Sequence, residues 1–206
     1  MKNRYLKYKW SLPLILLIIF IFIALGVISN RIDGFDDYVY ELVSGYASDS
    51  LTNFMKAITN LGGTVFILEA TIGILLILKD KKLRYAAVLN LIFESFLNNL
   101  FKTIFKRQRP SILRLVGAGG YSFPSGHAMA SVAFYGFLIY IVYKNVENKY
   151  LKFFLIFLMV LIILLIGLSR IYLGVHFASD VIGGFTLGLS YILAFIYVYE
   201  KICNVV

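Results

Sequence analysis

The sequence predicts an all-α, polytopic membrane protein. It should have six transmembrane helices plus short amphipathic interfacial helices, in one domain over residues 1–206. Three observations predict this. Of 206 residues, 60% are hydrophobic and only 15% charged, too apolar for a soluble domain of this size. The apolar residues come in runs long enough to cross a hydrocarbon layer about 30 Å thick. The basic residues are also sorted by side. If every run crosses, Lys2, Arg4, Lys7 and Lys9, then Lys79, Lys81, Lys82 and Arg84, then Lys144, Lys149 and Lys152 share one compartment. The positive-inside rule makes that compartment the cytoplasm, with both termini in it and the protein in the plasma membrane. A net charge of +9 would suggest nucleic acid in a soluble protein. Here it is orientation signal, and the bilayer, not nucleic acid, is the expected partner. The single cysteine, Cys203, leaves no intrachain disulfide and no cysteine metal cluster.

In chain order, the basic, aromatic residues 1–10 lead into an almost unbroken Leu/Ile/Phe run from Ser11 to Ser29. That run exceeds the apolar core of a signal peptide, roughly 7–15 residues, so a retained first span is expected. Over residues 31–61, Phe35, Val39, Leu42, Val43 and Tyr46 recur at helical spacing, as do Leu51, Phe54, Met55, Ile58 and Leu61. This predicts two short amphipathic helices at the outer interface, with Asp33, Asp36 and Asp37 on a solvated face. Gly62-Gly63 interrupts the pattern, and a second span follows over Thr64–Leu78, carrying Glu69. A third span, Tyr85–Phe105, holds Asn90, Glu94, Asn98 and Asn99. Glu94, Asn98 and Lys102 step by four and form one polar stripe, which either supports a site or bonds helix to helix. Pro110 ends that helix, and Gly117, Gly119 and Gly120 predict a mobile outer loop. The remaining spans are expected over Ser125–Tyr143, Leu151–Leu168, and from about His176 to Tyr199. Gly183, Gly184 and Gly188 offer close packing surfaces on the last.

Counting through the membrane puts three polar clusters on the outer side. The first is Lys102 with Arg109 and Pro110; the two cations are seven apart, two helical turns, and face the same way. The second is Pro124-Ser125-Gly126-His127, a helix start that offers free N–H groups and the positive helix end to an anion. The third runs from Ser169-Arg170 through Gly174 to His176 and Asp180. His176 and Asp180 are four apart and would share a helix face. A carboxylate there fixes the imidazole tautomer and leaves the other nitrogen free to attack. Taken alone, this stretch also reads as a capped helix start with a loop arginine. Both histidines of the chain fall in these clusters. Three cations, a helix N-terminus and two histidines meet the needs of phosphoryl transfer: charge neutralisation, a nucleophile and a proton for the leaving oxygen. No His/carboxylate set suggests a metal, and no cofactor is expected.

These three clusters resemble the signature of the type-2 phosphatidic acid phosphatase (lipid phosphate phosphatase) superfamily. Every signature position is filled, in order, over residues 102–180. The six-span layout is similar to that of the bacterial integral-membrane members. The resemblance implies that His176 is the nucleophile and forms a phosphohistidine, that Asp180 orients it, and that His127 is the general acid and then helps activate water. It implies that Lys102, Arg109, Arg170, Ser125 and the Gly126 backbone hold the phosphate, without a metal. It further implies a lipid phosphate substrate: phosphatidylglycerol phosphate, undecaprenyl diphosphate or phosphatidic acid. Lys106 and Arg107 match no signature position; solvated charges are expected there, with binding of the substrate headgroup as the alternative. A phosphotransferase using the same intermediate, or a non-enzymatic anionic-lipid binder, stays open, although the binder leaves both histidines without a task. Vanadate-binding haloperoxidases share the motif but are soluble.

Overall fold

The computed structural model describes residues 10–111 and 114–203, which form eight α-helices and no strand. They are α1 (Ser11–Ile28), α2 (Asp33–Ser44), α3 (Asp49–Asn60), α4 (Thr64–Ile77), α5 (Lys81–Phe105), α6 (Gly126–Asn145), α7 (Lys149–Tyr172) and α8 (Ala178–Ile202). The basic residues Lys2, Arg4, Lys7 and Lys9 lie outside the described residues, as do positions 112 and 113 of the expected loop.

Four helices, α1, α6, α7 and α8, are long and apolar enough to cross a membrane. The α3–α4 pair meets the same test as one span, bent by 49°. Within that pair, α3 ends at Asn60, just before Gly62-Gly63. It packs on α7, and the Thr52 hydroxyl lies 2.8 Å from the Tyr172 hydroxyl. The helix expected for the third span forms as α5, started by Asp80, whose carboxylate accepts the Lys82 N–H at 2.7 Å. Polar and charged residues keep α5 below the apolarity of the other four. Its polar stripe is withdrawn from the surface: Asn90, Glu94 and Asn98 are all buried, whereas Glu69 on α4 is exposed. On α2 the apolar stripe is only partly inward; Phe35 and Leu42 remain exposed, as does Tyr46 just past its end.

The bundle is organised around α8, which packs against α6 and α1. The glycines make this possible. A Cβ on Gly184 would stand 2.7 Å from the Ser125 carbonyl oxygen, and one on Gly183 2.6 Å from the Phe123 ring. Gly184→Ala therefore pushes α8 off the start of α6. We expect a loss of about 1–3 kcal/mol, read as a lower melting temperature in detergent, together with reduced activity.

Three contacts order the ends. Trp10 packs edge-on against Tyr197 with ring centroids 4.8 Å apart. Lys82 Nζ donates to the Cys203 carbonyl at 3.4 Å. Lys144 pairs with Glu200 at 3.0 Å. The start of α1, the α4–α5 and α6–α7 turns and the end of α8 therefore share one end of the bundle. The three signature clusters gather at the other.

Candidate active site

Helix α7 runs four residues past the apolar stretch expected from the sequence, so Ser169 and Arg170 are in its last turns rather than in a loop. The chain then reverses through Gly174, which takes the left-handed conformation at φ +67° and suits a residue without a Cβ. The Val175 and His176 N–H groups both donate back to the Arg170 carbonyl, at 3.2 and 3.3 Å. His176 thus precedes α8 and does not open it. The expected pairing forms all the same: His176 Nδ1 stands 3.3 Å from Asp180 Oδ2.

Asp180 is fully buried and its two oxygens divide the work. Oδ2 accepts the Phe177 N–H at 2.9 Å and the Ser122 hydroxyl, and faces His176. Oδ1 accepts from Arg107 at 2.7 Å. With Nδ1 turned to the carboxylate, the proton belongs there and the Nε2 lone pair is free. Nε2 points at Arg109, whose guanidinium nitrogen is 3.0 Å away. Burial pushes the His176 imidazole down to about 4; Asp180 opposes this, while Arg109 and Arg170 add to it. The ring is therefore neutral at pH 7, the form a nucleophile needs.

The cations close round this ring. Arg109 donates to Val175 O at 2.7 Å and to the Gly119 and Gly120 carbonyls at 2.8 and 3.0 Å, which ties the glycine-rich loop over the site. Burial, together with Arg114, lowers the pKa of Arg109, against the pull of Asp180. Lys102 Nζ donates to Tyr121 O at 2.7 Å. Arg170 donates to Thr59 on α3 at 2.7 Å. His127, one residue into α6, lies within electrostatic reach of Arg170, His176, Arg109 and Lys102. Ser125 caps α6, but its N–H is engaged by the Asp180 carbonyl at 3.0 Å. The free N–H groups of the helix start therefore begin at Gly126. A Cβ on Gly126 would sit 3.2 Å from Asn98 Oδ1 and 3.9 Å from the Lys102 side chain, so only glycine leaves this cradle open. The Asn98 amide reaches the Pro124 carbonyl at 3.5 Å. Of the α5 stripe, Asn98 and Lys102 reach the site.

Among the described residues, three buried side-chain polar atoms have no hydrogen-bond partner, and two are Ser125 Oγ and Arg170 Nε. An unmet buried donor costs about 1–3 kcal/mol. An anion oxygen among the cations would satisfy both.

Three site residues escaped the sequence reading. Arg107, expected to be solvated, is half-buried and stacks its guanidinium 4.1 Å over the Phe177 ring. It donates to Asp180 and Ser179 at 2.7 Å and to Asp36 at 2.8 Å. Burial works against its charge, but the Asp180 and Asp36 carboxylates outweigh this and raise its pKa. Asp36, expected on a solvated face of α2, is 1% exposed and also takes the Ser179 N–H and hydroxyl, at 2.8 and 2.6 Å. One signal for it was present: Asp36, Val39 and Val43 are spaced by three and four. Ser122 sits in an irregular segment where no periodicity could mark it.

Fold and site together define a membrane protein that gathers a buried histidine, its carboxylate and several cations at one end of a helical bundle. Comparison with known proteins gives its kinship. Residues 84–202 match the PAP2 superfamily, and the chain belongs to that superfamily. It is 31% identical over 181 residues to phosphatidylglycerophosphatase B of Bacillus subtilis, covering 86% of this chain and 89% of that protein. It is 25% identical over 187 residues to an undecaprenyl-diphosphatase of Sulfolobus acidocaldarius, covering 88% and 86%. Its fold matches the crystal structure of a transmembrane PAP2-type phosphatidylglycerolphosphate phosphatase from Bacillus subtilis, with TM-score 0.86, 29% identity, and coverage of 95% of this chain and 98% of that one. The crystal structure of Aquifex aeolicus LpxE matches at TM-score 0.63 with 26% identity, over 78% and 93%. The chain is a membrane phosphatase of this superfamily.

Proposed function

We propose that the protein hydrolyses a lipid phosphate through a phosphohistidine on His176, at the extracytoplasmic face of the plasma membrane. The observation that carries this reading is the His176 ring: Nδ1 against the Asp180 carboxylate, Nε2 turned to the cations. As the phosphate enters, Arg109 exchanges its contact with Nε2 for a phosphate oxygen, and Lys102, Arg170, Ser125 and the Gly126 N–H hold the others. Nε2 attacks phosphorus, the bond to the lipid oxygen breaks, and His127 gives that oxygen a proton. Water, losing a proton to His127, then attacks the phosphohistidine and releases inorganic phosphate. Asp180 stabilises the imidazolium charge throughout.

The layout we propose has six spans: α1, α4 continuing α3, α5, α6, α7 and α8, with both termini cytoplasmic. The basic turns 79–84 and 144–152 at the end opposite the site support this orientation. The names of the relatives suggest the substrates to test first: phosphatidylglycerol phosphate, then undecaprenyl diphosphate, with phosphatidic acid beside them.

The test is phosphate release by detergent-purified protein from this panel. Release from at least one lipid establishes the reaction, and the ranking begins to identify the substrate; product that depends on an added alcohol would replace hydrolysis by phosphotransfer. We also expect turnover in EDTA to stay within about twofold of the untreated rate, because fixed cations carry the charge that metals carry elsewhere. Full loss in EDTA with recovery in magnesium would refute the metal-free mechanism.

A further inference from the structure

Arg107 is outside the phosphate cradle, yet it holds the catalytic carboxylate. Its guanidinium spans two buried acids, Asp180 on α8 and Asp36 on α2, and lies flat on Phe177. Asp36 in turn takes both polar groups of Ser179, the residue before Asp180. Without Arg107, Asp180 Oδ1 would lose its charged donor. Without Asp36, both the guanidinium and the first turn of α8 would lose their anchor.

We propose that Arg107 and Asp36 are positioning residues for the reaction: through Asp180 they set the orientation and charge of His176, and they make the amphipathic helix α2 a working part of the site. This rests on the assignment of His176 as nucleophile. Neither residue touches the phosphate in this scheme, so each acts on turnover more than on binding. Their charges also act in opposite directions. Removing Arg107 leaves Asp180 less compensated, which favours the imidazolium and moves the acid limb of kcat to higher pH. Removing the Asp36 charge leaves Arg107 less compensated, disfavours the imidazolium and moves the limb to lower pH. The other charged or titratable groups facing His176 are Asp180 on α8, Arg109 after α5, Arg170 on α7 and His127 on α6, and none of them is substituted in either variant.

The experiment measures kcat, KM and the pH profile of kcat for the full chain in detergent, with phosphatidylglycerol phosphate as substrate and rates normalised to folded protein by size-exclusion chromatography. Wild type, His176→Ala, Arg107→Gln, Arg107→Lys and Asp36→Asn are compared. We expect Arg107→Gln to lower kcat about 10–100-fold with KM within about threefold, as seen when groups behind a site ligand are lost. Its acid limb should rise by roughly half a unit or more. Arg107→Lys should recover part of the rate. Asp36→Asn should lower kcat about 3–10-fold and move the limb the other way. If Arg107→Gln does not fold, Arg107→Lys and Asp36→Asn decide. Wild-type kcat per folded protein, or losses with an unmoved acid limb, would overturn the positioning role while leaving the nucleophile assignment intact. Normal turnover by His176→Ala would instead overturn the assignment beneath it.

Discussion

His176→Ala is expected to abolish phosphate release, by about 10⁴-fold or more, while the protein still folds and inserts. The imidazole is 2% exposed, and its Nε2 is the nitrogen presented to the cation ring. No neighbouring group replaces it: Asp180 is turned to Nδ1 and to Arg107, and in the proposed scheme His127 is already the proton donor. The measurement is single-turnover phosphate release beside wild type, with size-exclusion elution as the folding control. Quenching wild type in alkali, where a phosphohistidine survives, should also trap phosphate on the protein, and the variant should trap none. Normal turnover by the variant would remove the proposed intermediate. Burial holds the imidazole at about 4, so kcat/KM should lose this group's contribution only as pH falls through that value, after correction for substrate ionisation.

Asp180→Asn is expected to lower kcat about 10²–10⁴-fold while the inhibition constant for product phosphate stays within about threefold. The side chain keeps its volume, so packing survives, but its bonding does not. Asp180 presents acceptors on both sides: Oδ2 to Phe177 N–H, Ser122 and His176, and Oδ1 to Arg107. An amide has a single acceptor oxygen, so its NH₂ must face either Arg107 or the Phe177 N–H, a donor against a donor. An NH₂ turned toward His176 would move the ring proton to Nε2 and occupy the lone pair that attacks. Phosphate affinity is spared because Lys102, Arg109 and Arg170 bind the oxygens in this scheme. A parallel loss of phosphate affinity would mean that Asp180 builds the anion site rather than orienting the nucleophile.

Much of this site was legible because its residue types are costly where they stand. Arg170, His176 and Asp180 interrupt apolar runs, and Lys102 and Arg109 place charge at the end away from the other basic clusters. The helical elements followed from unbroken hydrophobic runs, and the glycines of α8 declared their contacts through the absence of side chains. The missed residues fail for a common reason: their burial comes from partners distant in the chain. Asp36 meets Ser179 143 residues away, and Arg107 meets Asp180 at a separation of 73. Alone, each looks like an ordinary surface charge. His176 was placed in the helix for a related reason, since spacing of four cannot distinguish two residues on one helix face from a turn that folds back onto the helix start.

The buried stripe of α5 bears on how the protein is made. Asn90, Glu94 and Asn98 stand one turn apart on the face turned inward; the Asn90 side-chain amide donates to the Ala133 backbone carbonyl of α6, and the Asn90 backbone carbonyl accepts the Tyr191 hydroxyl of α8. Those partners are made later in the chain than α5 itself. On the proposed layout, a newly synthesised α5 must therefore enter the bilayer, or wait beside the insertion machinery, before the groups that hide its polar face exist. Tyr191→Phe would then reduce the amount of correctly inserted protein before it altered any property of the finished enzyme.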